Sequence, residues 1–285
     1  MSKRTIIGMA FVAPALLVFL LFKYIPMFQV FRMSLYNWSI LNPPGEFVGL
    51  RHFKEAFTSS LFWIAWKNNL ALFLLGLVLG FWVPLVQAVI LGEIGRGQYI
   101  FRVCYLLPLM VPPMVTLIVW KWIYNPEYGL LNAIVARLGI GTQDWLGNPK
   151  LAKLSLMLPE LLGGGMGVMV YLAAIQGVPQ ELLDAAEIDG AGPLAKLRYI
   201  LLPRIRFVIL IQFILALSAG FQMFDRVFVL TGGGPVDATR VIALLIYRYA
   251  FESYRMGYAS AIALVLFVVV LTVTAVQMRL SRLSD

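Results

Sequence analysis

The sequence predicts an all-α integral membrane protein. Of its 285 residues, 61% are hydrophobic and only 13% are charged, and the mean hydropathy is +0.85. A soluble domain is roughly 45–50% apolar and about 25% charged, so a single soluble core cannot hide this excess. Long stretches free of Asp, Glu, Lys and Arg carry the excess. Because lipid offers no partner to an unpaired backbone group, these stretches are expected to be helices.

Six uncharged stretches are close to the roughly 20 residues that cross a bilayer. They are residues 5–22, 68–92, 103–120, 161–180, 207–224 and 256–278. The first follows a short basic segment, and no small-x-small cleavage site comes after it, so we expect a retained anchor helix. No linker or low-complexity region interrupts the chain. The sequence therefore predicts a bundle of six transmembrane helices in a single domain, residues 1–285.

Loop length and charge predict the orientation of the bundle. The short loops 93–102 and 179–203 and both termini carry dense Lys and Arg. The long loops 31–67, 121–160 and 225–255 carry a similar count, but more thinly and mixed with acids. The positive-inside rule weighs the density of basic residues in short loops. We therefore expect the N- and C-termini and the short loops to be cytoplasmic.

Several classes of function lack the residues that they need. A single cysteine, Cys104, excludes an intrachain disulfide, and a single histidine, His52, excludes a His/Cys metal cluster. We interpret both as structural residues. No Gly-x4-Gly-Lys-Ser/Thr phosphate loop occurs. The net charge of +9 fits membrane topology and anionic lipid rather than nucleic acid, since no basic run interleaves with aromatics.

A charged, helix-forming segment, the 179–203 loop, lies between two apolar runs. Pro179 suits the start of a helix, and Gly190 suits its end, because glycine tolerates the left-handed conformation there. Acidic residues follow Pro179 at spacings of three, which places them within one arc of the helix. These acids are Glu181, Asp184 and Glu187. With a restart at Pro193, we predict helix, sharp turn and helix; the alternative is an ordinary amphipathic interfacial helix.

The 179–203 loop also carries a spaced motif. It resembles the conserved cytoplasmic loop, the EAA loop, of permease subunits from binding-protein-dependent ABC importers. The matching residues are Asp184-Ala185-Ala186, Gly190, Ile200 and Leu202-Pro203, with Asp189-Gly190-Ala191 matching its extended form. Asp184 replaces the usual first Glu, which keeps the charge and shortens its reach by one methylene. Residues 11–17, 34–38 and 47–53 and the Gly-rich element 231–235 resemble the sugar-type branch, which includes maltose, trehalose and glycerol-phosphate permeases.

This resemblance implies a type I ABC importer permease fold in the cell membrane and a role in carbohydrate import. The loop would be the coupling helix that docks on an ATPase subunit. The residues implied in coupling are Glu181, Asp184, Ala185, Ala186, Asp189, Gly190, Ala191 and Pro193. The implied partners are a second homologous permease, two ATPase subunits and an extracytoplasmic substrate-binding protein. ATP and Mg²⁺ would bind to the ATPase subunits, and this chain would hold no cofactor and no catalytic residue.

Polar side chains at membrane depth are candidates for the substrate pathway. The fifth stretch and its outer end carry amides, a hydroxyl and a carboxylate interleaved with aromatic rings, and a sugar offers apolar faces and polar edges to such groups. The candidates are Gln212, Ser218, Phe221, Gln222, Phe224 and Asp225. The alternative is that they bond between helices. Pro108, Pro112 and Pro113 are expected to kink the third stretch, and residues 163–167 have small-xxx-small spacing that suits close packing.

Two rival functions remain open at this point. An ion-gradient-driven secondary transporter often has paired charges near the midplane and inverted repeats. The six stretches contain no Asp, Glu, Lys or Arg, and no repeat is evident. An intramembrane enzyme would need paired acids or a His-Glu-x-x-His helix within a span, and neither pattern occurs.

Overall fold

The computed structural model describes residues 3–41, 45–162 and 165–282 of the chain. Among the residues described, 75% are helical and no strand occurs, apart from an isolated bridge between Tyr36 and Phe47. The predicted all-α fold class is confirmed.

Three helices are long and apolar enough to cross a membrane: Gly8–Ser34, Ser60–Glu93 and Met256–Arg279. Three bent pairs also pass the same criteria, so the described residues give six spans if each pair counts as one. The pairs are Gln98–Met110 with Pro113–Ile123, Ala152–Leu162 with Gly165–Gln176, and Pro193–Arg204 with Arg206–Phe221. Gly163 and Gly164, which begin the predicted small-residue motif, lie outside the described residues.

The helix of the second span is interrupted in its middle, between the segments Ser60–Leu79 and Val83–Glu93. Pro84 has no N–H, so the Gly80 carbonyl cannot receive its usual helical bond. The backbone instead turns, and the N–H of Val83 donates to the Gly80 oxygen at 3.2 Å. The uncharged stretch 68–92 predicts one continuous span, and Pro84 is the signal within it that marks the break.

The third span bends where its prolines predict a kink. Gln98–Leu106 continues as a 3-10 turn over Leu107–Met110, and a new helix begins at Pro113 at 97° to the first part. Because Pro112 and Pro113 donate no backbone hydrogen bond, the first helix cannot continue through them. The kink prediction is confirmed, and the stretch 103–120 is not one straight helix.

The chain contacts divide into two compact units. The first consists of Met1–Trp63 and Ile242–Leu271. Within it, Arg255 holds the Glu55 carboxylate through two hydrogen bonds of 2.7 and 2.8 Å. The Arg255 guanidinium also lies 4.6 Å from the ring centre of the buried Tyr258. Residues 8–29 of the N-terminal helix are all exposed, which is typical of a helix surrounded by lipid.

The second unit consists of Ile64–Val241 and Thr272–Asp285. Its core joins the helix Val83–Glu93, the helix Gly165–Gln176 and the 179–203 loop. The buried members are Leu85, Ala88, Leu91, Val168, Tyr171, Leu172, Val178, Leu201 and Ile205. The 179–203 loop and the residues predicted for the substrate pathway both belong to this unit.

Candidate functional site

The 179–203 loop forms the predicted helix, turn and helix. The first helix covers Gln180–Ile188, with Pro179 at its N-cap and Asp189 at its C-cap. Gly190 then adopts φ +80°, the left-handed conformation that only glycine takes without strain. The N–H of Ala191 reaches back to the Ala186 carbonyl at 2.8 Å and closes the helix end. The chain restarts as a helix at Pro193.

One arc of the loop is anchored and the other is free. Leu183, Leu197 and Leu201 pack against the core of the second unit, whereas Glu181, Asp184 and Glu187 are exposed. Within the first helix the acids lie on one exposed arc, as their spacing predicts, and Leu183 lies on the packed side. Lys196 bridges the turn, with Nζ 2.8 Å from Glu187 Oε2. An exposed pair of this kind contributes at most about 1 kcal/mol. Packing of the leucines therefore stabilises the elbow, the helix–turn–helix of residues 180–196 with its turn at Gly190.

All eight residues implied in coupling lie on this elbow. Glu181, Asp184, Ala185, Asp189, Gly190 and Pro193 are exposed, and Ala186 and Ala191 are half-buried. Sequence reasoning overlooked two apolar side chains beside them, Ile188 at 87% exposure and Leu194 at 77%. Leu194 lies at helical spacing from Leu197 and Leu201, but they pack against the core and it does not. The tip therefore presents acids together with uncovered apolar groups.

A cavity of about 920 Å³ lies within the second unit. Its wall comes from both halves of the second span, the kinked third span, the helix Ala152–Leu162 and the helix Arg206–Phe221 with the residues that follow it. Prolines therefore shape this cavity, because they interrupt the second span and bend the third, and both spans contribute to its wall. Aromatic rings and a few polar groups line it, including Phe73, Phe81, Trp120 and Thr116.

Four of the six residues predicted for the substrate pathway line this cavity: Gln212, Gln222, Phe224 and Asp225. Ser218 and Phe221 are not on the wall. Phe221 is buried behind it and stacks on Phe73 with ring centres 5.6 Å apart. The Ser218 carbonyl accepts a hydrogen bond from Gln222 Nε2 at 3.2 Å, so this residue takes part in bonding within its own helix.

The cavity wall also holds an ion pair that sequence reasoning missed. Arg226 Nη1 lies 2.7 Å from Glu160 Oε1, and both side chains are less than one third exposed. Arg226 additionally donates to the Leu156 carbonyl at 3.1 Å. The predicted fourth span begins at residue 161, because Glu160 ends the uncharged stretch there. The structure continues the helix through it, from Ala152 to Leu162.

The described residues contain no group of three or more His, Cys, Asp or Glu side chains that could hold a metal ion. Cys104 is exposed. His52 is buried and its ring lies 3.2 Å from the Tyr36 carbonyl. Burial lowers the pKa of His52 below 6.5, although that hydrogen bond and Glu55 act in the opposite direction.

Comparison with known proteins decides the family. Residues 85–283 match the family described as binding-protein-dependent transport system inner membrane component. The chain belongs to this family of transport permeases. It is 34% identical over 283 residues to the probable ABC transporter permease protein YurN of Bacillus subtilis, covering 98% of this chain and 97% of that one. The family assignment made from the 179–203 loop is therefore confirmed.

Two further relatives of this permease carry more specific names. The trehalose/maltose transport system permease protein MalF of Thermococcus litoralis is 32% identical and covers 97% of this chain and 94% of its own length. A crystal structure of a bacterial ABC transporter involved in the import of the acidic polysaccharide alginate shares 25% identity. It has a TM-score of 0.86, covering 98% of this chain and 96% of that one. The fold of this permease is therefore that of an ABC importer subunit.

Proposed function

We propose that this chain, residues 1–285, is a single-domain translocation subunit of an ATP-driven sugar importer in the cytoplasmic membrane. It pairs with a second homologous permease and two ATPase subunits, and an extracytoplasmic binding protein delivers an oligosaccharide, disaccharide or polyol. ATP and Mg²⁺ bind to the ATPase subunits, so this chain is not itself an enzyme. Both termini and the 179–203 loop are cytoplasmic in this arrangement.

The observation that carries the proposal is the elbow at Gly190. A charged, exposed tip on a leucine-anchored base can transmit motion, since force applied at the tip reaches the core through Leu183, Leu197 and Leu201. The uncovered Ile188 and Leu194 support a protein partner at the tip, because neighbouring exposed apolar groups favour association. The nine-residue length of the helix Gln180–Ile188 would suit a groove on that partner.

The cavity supports a carbohydrate as the transported substrate. Trp120 and Phe224 offer aromatic faces, and Gln212 and Asp225 offer groups that bond hydroxyls. The name of the trehalose/maltose relative points to the same class of substrate. The alginate importer has the same fold and transports an acidic sugar, so the fold alone does not determine the charge of the substrate.

The test is ATP hydrolysis and sugar uptake by the assembled importer in proteoliposomes. We expect Asp184→Lys and Gly190→Trp to assemble in the membrane but to lose at least about tenfold of the uptake per ATP hydrolysed, because the elbow no longer fits its partner. Glu127→Lys is the control: it reverses a charge at an exposed residue of a different loop. Normal coupled transport by both loop variants would refute the coupling role.

The Glu160–Arg226 pair favours a second candidate function, an ion-gradient-driven secondary transporter, because such transporters often have paired charges in a span. The same assay separates the two functions. Uptake that needs ATP and a loaded binding protein supports the importer. Uptake that continues without ATP and stops when an ionophore collapses the ion gradient supports the secondary transporter.

A further inference from the structure

Three charged side chains line the described part of the cavity wall: Glu160, Asp225 and Arg226. The remaining described residues of the wall are uncharged. Because the surrounding apolar wall has a low dielectric constant, each uncompensated charge acts over a longer distance than it would in water. The balance among these three groups therefore sets the net charge that the described wall presents to the cavity.

The single cation of this set is held by the protein itself. Arg226 Nη1 is bonded to the Glu160 carboxylate at 2.7 Å and to the Leu156 carbonyl at 3.1 Å, and its side chain is 24% exposed. An anionic substrate would have to compete with Glu160 for this guanidinium. The positive charge is thus cancelled within the wall and is not offered to the cavity.

Asp225, the next residue along the chain, is in the opposite situation. It is exposed on the cavity wall, and its carboxylate makes no hydrogen bond or ion pair with any of the described residues. The described wall therefore carries one uncompensated negative charge. Gln212, also without a hydrogen bond to the described residues, adds a neutral amide to the same wall.

We propose that this wall selects uncharged sugars over acidic ones, with Asp225 as the residue that repels a carboxylate, sulfonate or phosphate group. The inference rests on the proposed function and refines it by naming the charge class of the substrate. The Glu160–Arg226 pair is the second part of the device, since it prevents the arginine from attracting an acidic sugar. Aromatic faces and amides remain to bind a neutral ring.

The sign of the charge in the cavity can be measured without knowing the sugar. In the assembled importer, Cys104→Ser removes the native cysteine and Ala219→Cys places a thiol on the cavity wall. The probes are an anionic sulfonatoethyl and a cationic trimethylammonioethyl methanethiosulfonate. Their rates of thiol modification are compared after normalisation to the same two rates for free 2-mercaptoethanol.

We expect the normalised cation-to-anion rate ratio to be roughly ten, as like charges at close range repel the anion. Asp225→Asn should bring the ratio to about one, because the wall then has balanced charge. Glu160→Gln should also lower the ratio, because it uncovers the Arg226 charge. Glu127→Gln, an exposed acid outside the cavity wall, is the control and should leave the ratio unchanged. Gel-filtration profiles of the complexes confirm assembly.

Equal normalised rates for the two probes before any change at Asp225 would overturn the inference, as would a ratio that Asp225→Asn leaves unaltered. ATP-dependent sugar uptake by the same complex is measured in parallel. Charge selectivity without uptake of any sugar would refute the proposed function, while the measured negative charge of the cavity wall would still stand. Uptake without charge selectivity would refute the inference alone.

Discussion

Asn68 links the second span to the segment 231–240, which begins with the Gly-rich element 231–235. Its Nδ2 donates to the Asp237 carbonyl at 2.7 Å and to the Arg240 carbonyl at 3.0 Å, and the residue is 5% exposed. Asn68→Ala removes both donors and leaves two carbonyls without them. At about 1 kcal/mol of net stability for each hydrogen bond, the loss is about 2 kcal/mol. Asn68→Asp is expected to be worse, because a carboxylate faces two carbonyl oxygens.

The assay is the apparent Tm of the purified protein in detergent at one fixed heating rate, followed by tryptophan fluorescence. For a chain of this size, about 2 kcal/mol corresponds to a decrease of roughly 4 °C. Asn148→Ala is the control, because Asn148 makes a local bond to the Lys150 N–H in a turn and should shift Tm by less than about 1 °C. An Asn68→Ala protein as stable as the wild type would refute the argument that these two bonds hold the segment.

Three further predictions concern stability. Gly190→Ala should lower the free energy of unfolding by about 1 kcal/mol, because its φ is +80°. Gly192→Ala is the control and should leave it almost unchanged, because Gly192 has an ordinary φ and open space around it. The Tm values of the two variants test this difference. Gly257→Ala should cost about 3 kcal/mol, since its new Cβ would overlap the Tyr36 carbonyl, and an unchanged Tm would contradict the packing. The pKa of His52 is lowered in the folded state, so the unfolded chain binds more protons as the pH falls through 6.5. The free energy of unfolding should therefore be constant well above pH 6.5 and should decrease below it. His52→Gln should remove this part of the pH dependence of Tm.

The backbone of the 179–203 loop could be predicted from local sequence, but the exposure of its side chains could not. Its helix start, its turn and its restart follow from Pro179, Gly190 and Pro193, because proline and glycine restrict the backbone without help from distant residues. The exposure of Leu194 could not be found in this way. Leu194 has the same spacing as Leu197 and Leu201, and only the position of the core decides that it stays uncovered while they pack.

The cavity shows the opposite case. Polar and aromatic side chains at membrane depth predict Gln212, Gln222, Phe224 and Asp225. Glu160 is not predicted, because a stretch free of charges excludes it. A charge is tolerated within a span when a partner cancels it. That partner, Arg226, is 66 residues away along the chain, and no local pattern links the two.

The sequence by itself determined the class of this permease, the number of its apolar segments and the form of its elbow, because hydropathy, proline and glycine act over a few neighbouring residues. Only the tertiary structure decided which polar groups meet at the cavity and which charge is left uncompensated there. Coulomb interactions and packing depend on distances between helices. Those distances are set by the break before Pro84, by the bend at Pro112 and Pro113 and by the contacts of the whole unit.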